Sequence, residues 1–510
     1  MSQRNGSSLR DLFKGSALVF LGRVLELGIS FLVALLLARE LGTAGFGSIS
    51  LGATVLSFVS TLVVLGTHAG IGRYLPRYDD PAKRRGVLVS AFQLTVPLAI
   101  LAGAAVVVFA DFIATDIWGD PSLTPVLQIF GAAIPFGALV RLVEGSMQGV
   151  KQSRPKVLIQ GFTIPGTRFV LAVSAVLLGY GVLVVAGAYA IAYVVAGFLG
   201  IYYLYKLTPL FSREPYERMH GELLRFSVPL IITILMAKIL GDLDTFILAS
   251  EATTDVVGIY NVVYPISNLI LVVLTSVAFL TVPIISELHA EEAYEDMQRM
   301  YQVVTKWVFS ATLPAFFVFG LFPQTAIRYT FGPEYVGGDV ALAILAAGFF
   351  FHAIMGPNRD TLTAIGDTRT IMYDNIFVAG LNVVLNLLLI PPYGMVGAAV
   401  ATAIAYVVLN VLYSVQLYRS VGIQPFSSAM VKPAAVTTLV VGTSYWAVVS
   451  YVTVTLPVVV VTTITFVVVH AVAVITFGGI EREEIELVLD FEHKYDVDLG
   501  PLKSVVKRLM

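Results

Sequence analysis

Long apolar runs restrict what this chain can fold into more than any other feature of its sequence. A helix of about 20 residues crosses a hydrocarbon core of roughly 30 Å, whereas a barrel strand needs about half that length. Of the 510 residues, 57% are hydrophobic and 13% are charged, whereas soluble domains have about 45–50% and about 25%. The sequence therefore predicts an all-α integral membrane protein with about 14 transmembrane helices. The predicted spans cover residues 16–38, 46–70, 87–110, 124–147, 157–179, 182–205, 223–250, 256–286, 302–322, 339–362, 371–391, 394–418, 431–452 and 455–477.

A hexapeptide, Ala-Ile-Ala-Tyr-Val-Val, occurs twice inside these spans. Residues 190–195 and 403–408 carry it at an offset of 213, and Gly47 and Gly258 are related by a similar offset of 211. Internal repeats are typical of transporters, whose binding sites lie between the repeats. Because six predicted spans precede the second half, both halves are expected to share one orientation and to be related by an axis along the membrane normal.

The repeat divides the chain into two parallel six-helix lobes with appended segments. The last two spans have no counterpart in the first half, and the polar tail carries apolar residues at helical spacing, which predicts an amphipathic surface segment. The predicted parts are a cytoplasmic N-terminal segment 1–15, a first lobe 16–205, a cytoplasmic linker 206–222, a second lobe 223–420, two additional transmembrane helices 421–480 and a cytoplasmic amphipathic tail 481–510.

The loops alternate in charge. Of the 32 Lys and Arg residues, 26 fall in the termini and in every second loop, whereas the intervening loops carry only Arg39 and Arg328, with acids such as Asp120 and Asp255. Because Lys and Arg accumulate on the cytoplasmic side, this pattern predicts a multi-pass protein of the cell membrane with both termini cytoplasmic. The first apolar run leads into further spans instead of a small-residue cleavage site, so no removable signal peptide is expected.

Several classes of function are excluded by composition and motif. The absence of Cys excludes disulfides, thiolate metal sites and a cysteine nucleophile, and no Walker motif is present for ATP. Asp242 and Asp244 resemble the DxD of glycosyltransferases, but residues two apart on a helix point about 200° apart and cannot jointly hold one ion. A net charge of −2 does not favour a nucleic-acid partner. The chain is therefore expected not to be an enzyme and to have no catalytic residue, metal site or cofactor.

Four basic residues lie at least six residues from either end of a predicted span: Arg23, Arg141, Arg168 and Lys238. A charge at mid-bilayer costs at least about 2.5–3.5 kcal/mol on insertion scales, so each is expected to face protein or a water-filled cavity. One interpretation is a cationic cavity for an anionic substrate, with all four as substrate-binding candidates.

The alternative interpretation is local neutralisation. Three of the four have a carboxylate three or four residues further along the same helical face: Glu26 after Arg23, Glu144 after Arg141, and Asp242 after Lys238. Arg168 has no such partner. The duplication places Lys238 opposite Leu27, one helical turn from Arg23, which favours a site shared by both halves.

Short motifs lie mostly at the ends of the predicted helices: Phe226-Ser227-Val228-Pro229-Leu230, Asp244, Val257-Gly258-Ile259-Tyr260, Arg39-Glu40-Leu41-Gly42, Gly70-Ile71-Gly72-Arg73-Tyr74, Leu381–Asn386 and Ile390–Ala399. With these motifs the chain resembles the polysaccharide-flippase branch of the multidrug/oligosaccharidyl-lipid/polysaccharide exporter superfamily. The resemblance covers nearly all of the chain up to Ser420.

This resemblance implies two six-helix lobes around a central cavity that opens to one side at a time. It implies a flippase that moves a polyprenyl- or dolichyl-phosphate-linked saccharide from the cytoplasmic to the external leaflet, for surface polysaccharide or protein glycosylation. A cationic interior is implied for such flippases, and Arg23 and Lys238 match it. The implied partners are the lipid-linked saccharide, membrane lipids and glycan-assembly enzymes.

Drug-exporting members of the superfamily rely instead on intramembrane carboxylates. Glu26, Asp242 and Asp244 therefore keep open the alternative of a multidrug exporter coupled to Na⁺ or H⁺. The C-terminal tail resembles that of archaeal members, in which the implied carrier is dolichyl phosphate.

Overall fold

The computed structural model describes residues 2–213 and 215–478, together with their side chains except those of 2–24, 229, 279–280, 428–429, 431 and 477–478. The predicted tail 481–510 lies outside the described residues. Within the described ranges the chain forms helices joined by short connections and contains no β-strand. The prediction of an all-α membrane protein is confirmed.

The helices are numbered in chain order. Those of the first part are α1 (Ser2–Val63), α2 (Thr67–Tyr74), α3 (Pro81–Val108), α4 (Ala110–Phe112), α5 (Leu123–Gly149), α6 (Ser153–Lys156), α7 (Ile164–Leu177), α8 (Val182–Leu207) and α9 (His220–Glu251). Those of the remainder are α10 (Thr254–Asn268), α11 (Val272–Ala290), α12 (Tyr294–Phe316), α13 (Pro323–Thr330), α14 (Asp339–Ile354), α15 (Asn358–Ala364), α16 (Thr368–Val421), α17 (Ser428–Tyr451) and α18 (Leu456–Ala473).

Among the described residues, eleven helical segments are long and apolar enough to cross a membrane. The count becomes twelve if α9, which bends by 43° between Val228 and Leu230, is taken as one span. The predicted number of fourteen is not confirmed. The difference lies in α1 and α16, because each runs as one helix across a glycine, whereas the sequence predicts two spans in each.

A glycine interrupts each of these two long helices. Gly42 in α1 has φ 67° and ψ −178°, and Gly394 in α16 has φ 54° and ψ −133°. A positive φ is sterically costly for residues that carry a Cβ, whereas glycine adopts it readily. Apart from the adjacent residues and the helix's own nearby backbone, no atom of the described residues would lie within 4 Å of a Cβ at either position, so backbone conformation rather than space requires glycine at both breaks.

The described residues form two compact units. The first contains the residues up to Val262 together with Thr330–Gly338 and Ala379–Ala398. The second contains Val263–Tyr329, Asp339–Val378 and the described residues from Ala399 onward.

Close packing of α5 against α8 forms the centre of the first unit. Val140, Val143 and Met147 from α5 share an apolar cluster with Ala196 and Leu204 from α8. Small residues permit the close approach. A Cβ on Gly200, for example, would lie 2.7 Å from a methyl group of Val143.

In the second unit, the last two described helices are joined to α12. The Nδ1 of His470 in α18 lies 2.9 Å from the hydroxyl of Thr437 in α17, and its Nε2 lies 3.1 Å from the hydroxyl of Ser310 in α12. Around this polar contact, Phe317 and Phe466 belong to one buried apolar cluster. The imidazole therefore connects three helices through hydrogen bonds.

A reciprocal glycine contact lies in the first unit. A Cβ on Gly47 would lie 2.2 Å from the carbonyl oxygen of Thr254, and a Cβ on Gly258 would lie 2.0 Å from that of Thr43. Thr43 and Thr254 are related by the same offset of 211 as the two glycines. Because neither distance leaves room for a side chain, this crossing of α1 and α10 requires glycine at both positions.

Threonine hydroxyls flank this crossing. Thr43 donates a hydrogen bond to Asp255, and Thr254 donates one to Asp120, each at 2.5 Å. Burial raises the pKa of Asp120, but hydrogen bonds from the side chains of Ser122 and Thr254 and from the backbone N–H of Ser122 outweigh it. The net pKa of Asp120 therefore lies below its usual value.

Candidate functional site

The first unit contains a polar cavity of about 210 Å³ between α1, α5, α7 and α8. Among the described side chains, its charged lining residues are Glu26, Arg141 and Arg168, and its uncharged polar ones are Ser30, Ser57, Ser60, Gln160 and Tyr193. Two of the predicted substrate-binding residues and one of the predicted ion-coupling residues therefore meet at one place.

A π-helical turn forms the part of the wall between α6 and α7. It spans Val157–Thr163 and presents Gln160 to the cavity. Pro165 lies two residues after the end of this turn, and a proline ring would clash with the carbonyl four residues earlier in a regular α-helix, here that of Gly161. The wider π turn is one way to avoid this clash, and such turns often occur at functional sites.

Arg168 lies between two tyrosine rings. Its guanidinium carbon is 4.7 Å from the ring centroid of Tyr189 and 4.9 Å from that of Tyr193. These tyrosines are one helical turn apart on α8, so both rings face the same cation. The Nε of Arg168 is buried and has no hydrogen-bond partner among the described residues. The rings thus hold the guanidinium in place while leaving hydrogen-bond donors for a ligand.

Arg141 is not neutralised as its spacing predicted. The neighbouring carboxylate, Glu144, lies 2.5 Å from Lys156 Nζ and accepts a 2.9 Å hydrogen bond from Gln160 Nε2. The structure shows no ion pair between Arg141 and an acid of the described chain. The prediction of an Arg141–Glu144 pair is therefore wrong, because Lys156 reaches Glu144 from the neighbouring helix α6.

Lys238 is neutralised locally, as its spacing predicted. Its Nζ lies 2.6 Å from Asp242 and donates a 2.9 Å hydrogen bond to Ser57, which lines the cavity. The pair therefore lies beside the cavity and is connected to it through a serine hydroxyl.

The other carboxylate of α9 has different partners. Asp244 is buried and accepts hydrogen bonds from the hydroxyl of Tyr260 and the backbone N–H of Thr245. Asp242 and Asp244 therefore do not meet in one site. Arg23 belongs to α1, but its side chain lies outside the described ones.

The lining has more positive than negative charge. Two guanidinium groups face one carboxylate, and hydroxyl and amide groups surround them. Guanidinium groups bind phosphate and carboxylate through paired hydrogen bonds. A volume of about 210 Å³ is smaller than the roughly 300–1,000 Å³ of drug-sized sites, so the cavity suits a phosphate group or one sugar ring.

Sequence reasoning missed the residues that support the charged ones. Tyr189, Gln160 and Lys156 act on side chains of other helices, so no spacing within one helix indicates them. Tyr193 did carry a signal, since it belongs to the duplicated hexapeptide, but its contact with Arg168 depends on the packing of α7 against α8.

The second copy of the hexapeptide has different neighbours. In the second unit, the Tyr406 ring stacks on His352 at 5.5 Å and packs edge-on against Phe349 at 5.0 Å. Nearby, Asn358 donates a 3.1 Å hydrogen bond to the side-chain oxygen of Asn410. The equivalent tyrosine therefore packs against another ring, where the first copy holds a guanidinium.

Sequence comparison finds relatives that match most of this chain. Agl15 of Haloferax volcanii, described as a probable low-salt glycan biosynthesis flippase, is 22% identical over 81% of this chain and 85% of its own length. AglR of the same organism, described as a probable flippase, is 24% identical over 83% of this chain and 87% of its own length.

Solved structures share the fold. The lipid II flippase MurJ in an inward closed conformation aligns with a TM-score of 0.72 and 15% identity, covering 91% of this chain and 98% of MurJ. An inward-facing multidrug transporter of the MATE family aligns with a TM-score of 0.68 and 16% identity, covering 77% of this chain and 94% of that transporter.

Family models match two parts of the chain. The MatE model matches residues 229–388. The model described as polysaccharide biosynthesis protein matches residues 12–289, which is more than half of the chain. The resemblance seen in the short motifs is thereby confirmed, and the chain belongs to the polysaccharide biosynthesis protein family.

Proposed function

We propose that this protein is a flippase that moves a polyprenyl- or dolichyl-phosphate-linked saccharide from the cytoplasmic to the external leaflet by alternating access. The observation that carries the proposal is the cavity whose described lining has two guanidinium groups, Arg141 and Arg168, and one carboxylate, Glu26. Agl15, described as a probable low-salt glycan biosynthesis flippase, supports the same class of substrate, and AglR, described as a probable flippase, supports the same activity. The product would serve surface polysaccharide synthesis or protein glycosylation.

The sugar head is the part of the substrate that is most costly to move across the hydrocarbon core. Each unpaired hydroxyl costs roughly 4–8 kcal/mol to move into hydrocarbon, so the head needs a wet, polar path while its lipid tail stays in the bilayer. Arg141 and Arg168 would bind the phosphate, and the serines and Gln160 would hydrogen-bond the sugar. In a cell that is negative inside, moving one phosphate charge outward releases about 2.3 kcal/mol per 100 mV.

The proposal includes an arrangement in the cell membrane with both termini cytoplasmic and with lobes 16–205 and 223–420. Single cysteines test it, because the chain has no native Cys. Cysteines at Ser122 and Thr253 should react with an impermeant reagent in intact cells. A cysteine at Ser153 should react only after permeabilisation. The opposite pattern would contradict the topology.

The function itself is tested in proteoliposomes that contain a polyprenyl-phosphate-linked sugar. Protein-dependent appearance of the sugar in the opposite leaflet, accelerated by an imposed voltage, is the expected result. The double variant Arg141→Ala, Arg168→Ala should insert normally and lose this activity. Flipping at the wild-type rate by the double variant would remove the cavity from the mechanism.

The second candidate is a cation-coupled multidrug exporter. It is favoured by the MatE match to residues 229–388 and by Glu26 in the cavity. Such a protein would transport amphipathic cations, driven by a Na⁺ or pH gradient at zero voltage. Flipping that follows voltage and ignores both gradients would exclude this candidate.

Asp244 separates these two candidates further. Its buried hydrogen bonds to Tyr260 and Thr245 support a structural role, in which Asp244→Asn lowers the folded yield more than the turnover per molecule. Reduced turnover at unchanged yield would instead support a role in ion coupling.

A further inference from the structure

Two basic residues, Arg141 and Lys156, are positioned to compete for an ion pair with Glu144. It lies three residues after Arg141 on α5, a spacing at which opposite charges on one helix pair readily. Its Oε1 nevertheless lies 2.5 Å from Lys156 Nζ, and its Oε2 accepts a 2.9 Å hydrogen bond from Gln160. Both carboxylate oxygens are therefore bound by residues from outside α5.

Lys156 and Gln160, the two residues that bind Glu144 in place of Arg141, lie close together in the sequence. Lys156 ends α6, and Gln160 lies four residues later in the π turn. The side chains of Lys156 and Glu144 are only 31% and 22% exposed, so water and salt screen this pair less than a pair on the surface. Arg141 is left facing the cavity without an acidic partner in the described part of the chain.

We propose that Lys156, assisted by Gln160, is a positioning residue that keeps Glu144 away from Arg141 and so maintains the positive charge of the cavity. With Glu144 held, the lining has two guanidinium groups and one carboxylate. With Glu144 released, its carboxylate would pair with Arg141 and cancel the excess positive charge of the lining. This inference rests on the proposed binding of a phosphate-bearing ligand in the cavity.

The test measures binding of a polyprenyl monophosphate to the purified full-length protein, with the uncharged polyprenol as the reference ligand. Lys156→Met removes the charge at similar side-chain length. We expect it to weaken binding of the monophosphate by roughly three- to tenfold, the range of a partly exposed ion pair. Binding of the polyprenol should not change.

Restoration of binding by a second substitution distinguishes a positioning role of Lys156 from a purely structural role. Adding Glu144→Gln to Lys156→Met removes the carboxylate that would neutralise Arg141, and it should restore monophosphate binding. If the Lys156–Glu144 pair served only stability, losing both partners would not repair binding. In an Arg141→Ala background, Lys156→Met should cause no additional loss, because no guanidinium remains at that position for Glu144 to neutralise.

A second variant covers the case in which Lys156→Met does not accumulate. Gln160→Leu removes the other donor to Glu144 and should weaken monophosphate binding by about two- to threefold, and Glu144→Gln should again reverse the loss. A loss of monophosphate binding that Glu144→Gln does not reverse, or no loss at all, would contradict the inference.

Binding by three variants, Lys156→Met, Arg141→Ala and Arg168→Ala, distinguishes failure of this inference from failure of the proposed function. Wild-type binding by Lys156→Met, together with weak binding by Arg141→Ala, would overturn the role of Lys156 and leave the cavity as the phosphate site. Wild-type binding by both Arg141→Ala and Arg168→Ala would overturn the cavity as the phosphate site and this inference with it.

Discussion

The two copies of the hexapeptide have the same sequence and different surroundings. In the first, Tyr193 and its neighbour Tyr189 enclose the guanidinium of Arg168 beside a charged cavity. In the second, Tyr406 stacks on His352 within a packed interior. The residue that precedes Tyr193 by 25 positions is Arg168, whereas the residue in the same register before Tyr406 is Leu381.

This difference shows that the hexapeptide packs helices, whereas residues outside it determine the charge of its surroundings. In both copies the small residues of the hexapeptide lie against neighbouring helices: Ala192 is buried, and a Cβ on Gly348 would lie 2.8 Å from Ala403. The charge is supplied by residues outside the repeat. Both copies of the hexapeptide therefore pack against neighbouring helices, whereas only the first of the two described copies lies beside the cavity lined by Arg141 and Arg168.

The largest expected effect comes from Arg168→Ala. It removes charge-assisted hydrogen bonds to phosphate worth about 1.5–3 kcal/mol, so flipping in proteoliposomes should fall about 10- to 100-fold. The matched control is Leu381→Ala in the other half, which should leave flipping per inserted molecule within about twofold. Equal losses in both variants would break the functional distinction between the copies.

Tyr193→Leu should have the next largest effect. A cation–π contact contributes about 0.5–2 kcal/mol, and without the ring Arg168 loses part of its support. We expect polyprenyl monophosphate binding to weaken roughly three- to tenfold, while Tyr193→Phe, which retains the ring, stays close to wild type. If Tyr193→Phe is as weak as Tyr193→Leu, the hydroxyl and not the ring is the important group.

Tyr406→Leu should act on stability instead of binding. The stacked and edge-on ring contacts contribute about 0.5–1.5 kcal/mol each, so the thermal midpoint in detergent should fall by about 2–5 °C. Monophosphate affinity of the folded fraction should stay at the wild-type value. Weakened affinity at unchanged stability would show that the second copy also contributes to the ligand site.

The smallest expected effect concerns Asp120, whose side chain accepts hydrogen bonds from Ser122 and Thr254. Its pKa is lowered in the folded protein, so its stabilisation is present above the unfolded pKa of about 4 and is lost as the pH falls through the folded pKa. Asp120→Asn should lower the thermal midpoint by about 1–3 °C at neutral pH. This difference should disappear in acid, and a constant difference at every pH would exclude titration of Asp120 as its cause.

The sequence predicted the features that depend on one helix at a time. Apolar length placed the helices, and a spacing of four residues predicted the Lys238–Asp242 pair. Arg168 has no acid on its own helical face, and no described acid forms an ion pair with it in the structure. These features could be predicted because neighbours on one helix are fixed by the helical repeat.

Contacts between helices could not be predicted in this way. The partner of Glu144 comes from α6, so the spacing rule selected Arg141 and was wrong. The rings around Arg168 come from α8, and only the packing of α7 against α8 brings them together. A choice between two cations depends on relative geometry, which a single sequence does not contain.

The reciprocal contact of Gly47 with Gly258 has an evolutionary consequence. When residue i meets j and the equivalent of j meets the equivalent of i, the contact has the isologous form found on the two-fold axis of a homodimer. An ancestor with one repeat per chain would have touched its own copy there, and any mutation would have acted twice at once. In a chain that carries both repeats each glycine can mutate alone, yet each lies opposite the other helix's backbone. Under the predicted duplication, this contact within one chain corresponds to a dimer interface of the single-repeat ancestor, and it now constrains two positions of the same protein.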